Sequence, residues 1–258
     1  ILIIDKHIVQ EMATIKYSNI NYPQFFAPEL KSLQNEKWFS SIFTKKELID
    51  QINTEIPENF ESKRKKGEND NYICELIQKD NIVEFVTYVN QTNYSLLSTI
   101  KPSIFETNSF LLEKEKTTLI EYATFYGSID IFNYMRFNKV KLTSSLWIYA
   151  IHSNNPEIIN ILEENHVKNE DENILHCIKE AIKCNHNQIA DYFFDISSNS
   201  NDFISQTVFE FYNFYFLNIE KLNQNMIYFI KYDYVYLFNY YLNTQETIIF
   251  NYTELYNA

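Results

Sequence analysis

The chain has 258 residues, a formal net charge of −12, 45% hydrophobic and 17% aromatic residues, and only two glycines and five prolines. A net charge of that sign repels phosphate backbones and anionic lipid surfaces, so nucleic acid and electrostatic membrane attachment are excluded as primary partners. No run of 18 apolar residues is present to insert into a bilayer. Glycine and proline far below their usual roughly 7% and 5% also exclude folds built on tight turns or phosphate-cradling loops, which leaves an all-α chain.

Three cysteines without regular spacing fit a reducing compartment better than a disulfide framework, and the expected location is cytoplasmic.

Residues 1 to 56 read as helical but not repetitive. Thr44-Lys45-Lys46-Glu47 is a capping-box pattern, opening a helix that carries Leu48, Ile49 and Ile52 on one face. Trp38, Phe39, Ile42 and Phe43 form a bulky apolar cluster upstream, and Pro23 and Pro28 interrupt any helix before it. This segment is expected to be a helical N-terminal cap. Residues 57 to 71 run Lys63 to Lys66 into Gly67, Glu68 and Asp70 and read as a charged linker loop, with an anion-binding or nuclear-import patch as the sharper alternative.

From residue 72 to 258 short apolar helices alternate with tight polar turns. A first pair covers Tyr72 to Val89 and turns at Asp80-Asn81; a long apolar connection from Asn90 to Lys116 reads as a degenerate helical unit. Thr118 and Glu121 form a second capping box. The next helix ends at Gly127, where a left-handed residue is cheapest, and Ser128 and Asp130 open its successor. The following unit repeats each part. Ala150 matches Ala123, Asn154 stands in for Gly127, Asn155 is the cap, and Pro156 and Glu157 hold the first two helical positions. A third unit turns at Asn185-His186. The pattern degrades from Phe209 to Tyr215 and recovers from Tyr228 to Leu242. Gly127 to Asn154 spans 27 positions and Asn154 to Asn185 spans 31, the period of a stack of helix pairs.

Thr118, Ile120, Ala123, Gly127, Ile131, Phe132 and Met135, followed by Ala150, Ile158, Ile159 and Leu162, carry a pattern that resembles the ankyrin-repeat family. More closely, the chain resembles a divergent, low-glycine, asparagine- and tyrosine-rich branch of that family of the kind expanded in protists. The resemblance is clearest over 118 to 194. It departs from the family where proline is missing after Thr118, where Glu121 replaces the motif histidine, and where turn glycines are mostly Asn or Asp. Plain loops are therefore expected in place of regular β-hairpin fingers. The resemblance implies an ankyrin-like α-solenoid of helix-turn-helix repeats over 72 to 258, with a concave face that binds protein. It places the contact positions just before each turn: Phe125 and Tyr126, His152 and Ser153, Lys183 and Cys184, Lys231 and Tyr232. Replacing Tyr126 or His152 by alanine is expected to weaken partner capture and leave thermal stability unchanged.

Candidate chemistry is sparse. His176, Cys177, Cys184 and His186 look like a metal cluster, but the two cysteines are seven apart on one expected helix, about 10 Å by helix rise, too far for tetrahedral zinc. Glu163-Glu164 and Asp171-Glu172 fall in expected loops, where solvent denies them the shifted pKa values of acid–base catalysis. No nucleotide, hydrolase or metalloprotease motif occurs. The expectation is a non-enzymatic protein–protein interaction module without cofactor or metal, or alternatively a structural component of a larger, cytoskeletal assembly.

Overall fold

The structure, a computed structural model, describes residues 6–14, 22–42, 46–56, 58–169, 171–197, 204–217 and 226–244. Among these residues the regular elements are all helices. They comprise α1 (Lys6–Thr14), α2 (Tyr22–Phe25), α3 (Ala27–Leu33), α4 (Phe39–Ile42), α5 (Lys46–Asn53), α6 (Phe60–Lys66), α7 (Tyr72–Gln78), α8 (Ile82–Thr92) and α9 (Ser109–Glu113). Next come α10 (Leu119–Tyr126), α11 (Ile129–Phe137), α12 (Leu146–Ser153), α13 (Pro156–Glu164), α14 (Asp171–Lys183) and α15 (Asn187–Ile196). The last are α16 (Ser205–Glu210), a 3-10 turn at Phe214–Phe216, α17 (Met226–Lys231) and α18 (Val235–Thr244). In place of β-hairpin fingers the described residues show one isolated antiparallel bridge, between Thr99 and Thr118. The chain divides into two compact units, Ile1–Ala123 with Asp130–Val140, and Thr124–Ile129 with Lys141–Ala258.

In the first unit Val9, Leu30, Phe39 and Ile52 are buried together, with Trp38, Ile42 and Ile49 against them. Of the cluster expected from sequence, Trp38, Phe39 and Ile42 take part; Phe43 and the capping residue Thr44 lie outside the described residues. Residues 57 to 71, expected as a linker loop, instead hold α6. Phe60 is buried against Phe105, with ring centroids 5.2 Å apart, and anchors the helix. The basic run occupies its last turn, where the dipole favours cations. Arg64 there meets Glu29 at 2.8 Å and Glu61 at 3.0 Å, while Lys63 meets Asp70 at 2.7 Å. The run that reads as solvated in sequence is thus an ion-paired helix end.

The α7–α8 pair turns as expected: Asp80 has φ 47°, and the Asn81 side chain accepts from the Glu84 amide at 3.3 Å. The Asp80 carboxylate reaches further and accepts from the amides of Asp130 and Ile131, both at 3.0 Å, capping the start of α11. The connection from 90 to 116 contains α9, capped by the Asn108 side chain, with Phe105, Phe110 and Leu111 buried. The second capping box forms as read: Thr118 donates its amide to Glu121 at 2.8 Å and its Oγ1 accepts the Glu121 amide at 3.3 Å. Tyr122, Phe85 and Phe132 are fully buried. Each such side chain removed from water contributes roughly 1.5–3 kcal/mol.

In the second unit α12 is buried on every side, Leu146 through Ile151 without interruption, as a helix apolar all round must be. Pro156 opens α13 and the Asn155 side chain accepts from Glu157 at 3.0 Å. Glu163 and Glu164, expected in a loop, are the last two residues of α13. The turns after successive first helices all contain a left-handed residue: Gly127 (φ 68°), Asn154 (50°), Asn185 (59°), Tyr212 (58°) and Asp233 (56°). The residue after it reaches back to the preceding turn or helix end. Asn155 donates to the Gly127 carbonyl at 3.3 Å, His186 Nδ1 to Ile151 at 2.7 Å, Asn213 to Ile182 at 2.9 Å, and the Tyr234 hydroxyl to Phe209. The Ile151 and Ile182 carbonyls also accept the Asn154 and Asn185 amides, at 3.2 and 3.1 Å, so there the side chain takes the second lone pair; each such bond is a net gain of about 1 kcal/mol.

Candidate functional site

The ladder of turn bonds fixes the ends of α10, α12, α14, α16 and α17, and with them the side chains just before each turn. The Phe125 ring lies 5.0 Å from the His152 ring, centroid to centroid, and 5.1 Å from that of Tyr126. His152 presents Nε2 to Glu180 Oε1 at 3.0 Å and Nδ1 to Cys184 Sγ at 3.6 Å. Lys183 Nζ is 3.3 Å from the same Glu180 oxygen and 5.6 Å from the centroid of the Phe211 ring. Next to Phe211, Glu210 accepts from the Tyr232 hydroxyl at 3.4 Å, and Lys231 lies over the Tyr232 ring at 5.3 Å. The row therefore alternates aromatic and charged side chains along five helix ends.

Five of the eight positions picked by sequence reach a side chain from another turn or helix, Phe125, His152, Lys183, Cys184 and Tyr232, and Lys231 joins through Tyr232. Tyr126 joins through Phe125. Ser153 does not present its hydroxyl outward: it donates to the Ala150 carbonyl at 2.7 Å and accepts from the Asn155 amide at 3.2 Å, bracing the turn. His152 has only 11% of its side chain exposed, so its replacement by alanine carries a stability cost, contrary to the sequence expectation.

Sequence reasoning missed Glu180, Glu210 and Phe211. Glu180 is three and four positions before Lys183 and Cys184, the spacing at which helical side chains meet, and that was its one available signal.

Burial pushes the Glu180 carboxyl up, but the His152 contact and the Lys183 charge outweigh it and hold it below its ordinary range. Burial and the adjacent Glu180 charge push the Cys184 thiol up to about 11 against the opposing charge of Lys183, so the thiol is protonated at neutral pH. Of the four residues considered as a metal cluster, His176 is exposed, Cys177 is buried, His186 is committed to Ile151, and Cys184 faces His152. Ligand-type atoms of His152, Glu180 and Cys184 lie within 4.8 Å of one another. No described helix is long and apolar enough to cross a membrane. Comparison with protein families, with curated proteins and with solved structures gives no match to this chain.

Proposed function

We propose that the second unit is an ankyrin-like stack of helix pairs that binds a protein partner along its row of helix ends, without catalysing a reaction. The observation that carries this reading is the contact chain from Phe125 through His152, Glu180 and Lys183 to Phe211, continued by Glu210, Tyr232 and Lys231. Aromatic rings held rigidly by their neighbours cost little entropy to immobilise on binding, and charged side chains between them supply direction. Half-buried Tyr126 and Lys183 and exposed Lys231 are the side chains with area left to give to a partner.

A photo-crosslinking residue placed at Tyr126 in the full chain, in its native cell, is expected to trap a defined protein. The same residue at Asn160, exposed on α13, is expected not to. Equal trapping at both positions, or none at Tyr126, overturns the reading. Tyr126→Ala, rather than His152→Ala, is the stability-neutral probe of the same contact.

A second reading, a structural component of a larger assembly, draws support from α18, which is not part of the row. Tyr236 and Tyr240, four positions apart on that helix, are 92% and 55% exposed. Crosslinks from Tyr236 to a repeated neighbour, with Tyr126 silent, would favour it.

A further inference from the structure

We propose that His152, Glu180 and Cys184 form a three-ligand site for a single Zn²⁺ ion, with the fourth position open to water. The proposal stands on these three side chains and not on the partner-binding reading.

The ligands come from α12 and from the C-terminal end of α14, which packs beside it; Cys184, just past the last residue of α14, is four positions from Glu180 and donates its amide to the Glu180 carbonyl at 2.9 Å. Thiolate, imidazole and carboxylate together match Zn²⁺ rather than the hard cations, which take oxygen alone. With bonds of about 2.0 to 2.3 Å, ligand atoms on a tetrahedral ion sit roughly 3.3 to 3.8 Å apart. His152 Nδ1 and Cys184 Sγ already have that spacing, at 3.6 Å. Ligand-type atoms of the three residues lie within 4.8 Å of one another, so closing on an ion takes rotation of the side chains. One ion takes one ring nitrogen. Nδ1 is the ligand, and Glu180 swings from Nε2 onto the metal.

The charge closes as well. Binding converts the Cys184 thiol to thiolate and releases its proton to bulk water. The two anionic ligands then neutralise the divalent ion, and His152 coordinates through its neutral ring. Lys183, now within 3.3 Å of Glu180, is displaced by the ion and keeps its place over Phe211. Because binding releases the Cys184 proton, affinity rises with pH.

The test is a Co²⁺ titration of the full chain under reducing conditions. The expected result is a near-ultraviolet thiolate-to-cobalt band saturating at one ion per chain, displaced by Zn²⁺, with one proton released per ion. Zn²⁺ should also protect Cys184 from alkylation in the unmodified protein. Cys184→Ser should abolish the band, Glu180→Gln should weaken binding at least tenfold, and Cys177→Ser, at a buried thiol outside the cluster, should change neither. Absence of the band in the folded wild-type chain overturns the proposal, as does a band that survives Cys184→Ser or alkylation of Cys184 at an unchanged rate in Zn²⁺. The alkylation measurement needs no variant, so misfolding of a mutant cannot obscure the answer.

Discussion

Two glutamates, one in each unit, are buried to the same degree and behave in opposite ways. Glu106, in the connection before α9, is 8% exposed, and Glu180, on α14, is 7% exposed. Glu106 Oε1 accepts the Asn108 amide at 2.9 Å, but its Oε2 is buried with no hydrogen-bond partner among the described residues. Burial pushes its carboxyl above the ordinary range, and backbone donors at Asn108, Asn69 and Thr107 fail to offset it. At Glu180 the same burial is overcome by His152 and Lys183, and the carboxyl is held low. Exposure alone therefore does not set the state of a buried acid here. A cation or imidazole within about 4 Å does, because its attraction favours the ionised form that burial penalises.

The comparison breaks most visibly at Glu180. Glu180→Ala removes the acid that both His152 and Lys183 face, and the expected loss is about 2 kcal/mol at pH 7, less than a sealed ion pair would cost because Lys183 can turn to water. The folded value is depressed, so this contribution is present above the unfolded carboxylate value of about 4.3 and is lost as pH falls through the folded one. Urea melts at pH 7 and pH 3 should show the gap between wild type and variant closing on the acid side. A gap independent of pH would mean that packing, not charge, holds Glu180.

Glu106→Gln should act with the opposite sign. Its folded value is raised, so its contribution to stability is full below the unfolded value and is lost as pH rises through the folded one. Glutamine keeps the acceptor for Asn108 and removes the buried charge, so the variant is expected to be more stable by about 1 kcal/mol at pH 8 and indistinguishable at pH 4. Thermal melts at the two values decide it; a variant less stable at pH 8 refutes the account of Glu106.

Neither acid announces itself in the sequence, and the reason is physical. Periodicity and capping patterns report local geometry, and where the fold is local they are legible. The Thr118–Glu121 box, the Asn155 cap and the left-handed turns at Gly127, Asn154 and Asn185 all form where read. Gly127 is constrained twice, by φ 68° and by the Ser153 Cβ, which an added Cβ would meet at 3.3 Å.

Tyr212 fills the equivalent place with a bulky residue at φ 58°, which costs about 1–2 kcal/mol and so gives no turn signal. Its ring stacks edge-on against Tyr234 at 5.4 Å, which offsets part of that cost. The six-residue α16 before it was hidden with it. The helix α6 was hidden by its own charges: Lys63 and Arg64 find Asp70 and Glu61 close by, but Arg64 also pairs with Glu29, 35 positions away. The site divides in the same way. Position before a turn nominates His152, Lys183 and Cys184, but the contact of His152 with Cys184 crosses 32 positions, and only the packing of α12 on α14 brings it about.

The smallest effect is the sharpest test of why the two glutamates differ. Lys183→Met removes one of the two groups that hold Glu180 low and keeps the apolar stem that lies over Phe211. Lys183 is 28% exposed, so its charge is screened, and the expected loss of stability is about 0.5 kcal/mol. His152 Nε2 remains 3.0 Å from the same Glu180 oxygen when Lys183 is lost. The carboxyl should therefore still titrate below its ordinary range in the variant, though less far below, and added salt should move it less than in the wild type. A carboxyl-carbon NMR titration of Glu180 reads this directly. If the value instead rises above the ordinary range, Lys183 was the group holding the acid ionised, and Glu180 without it is a second Glu106.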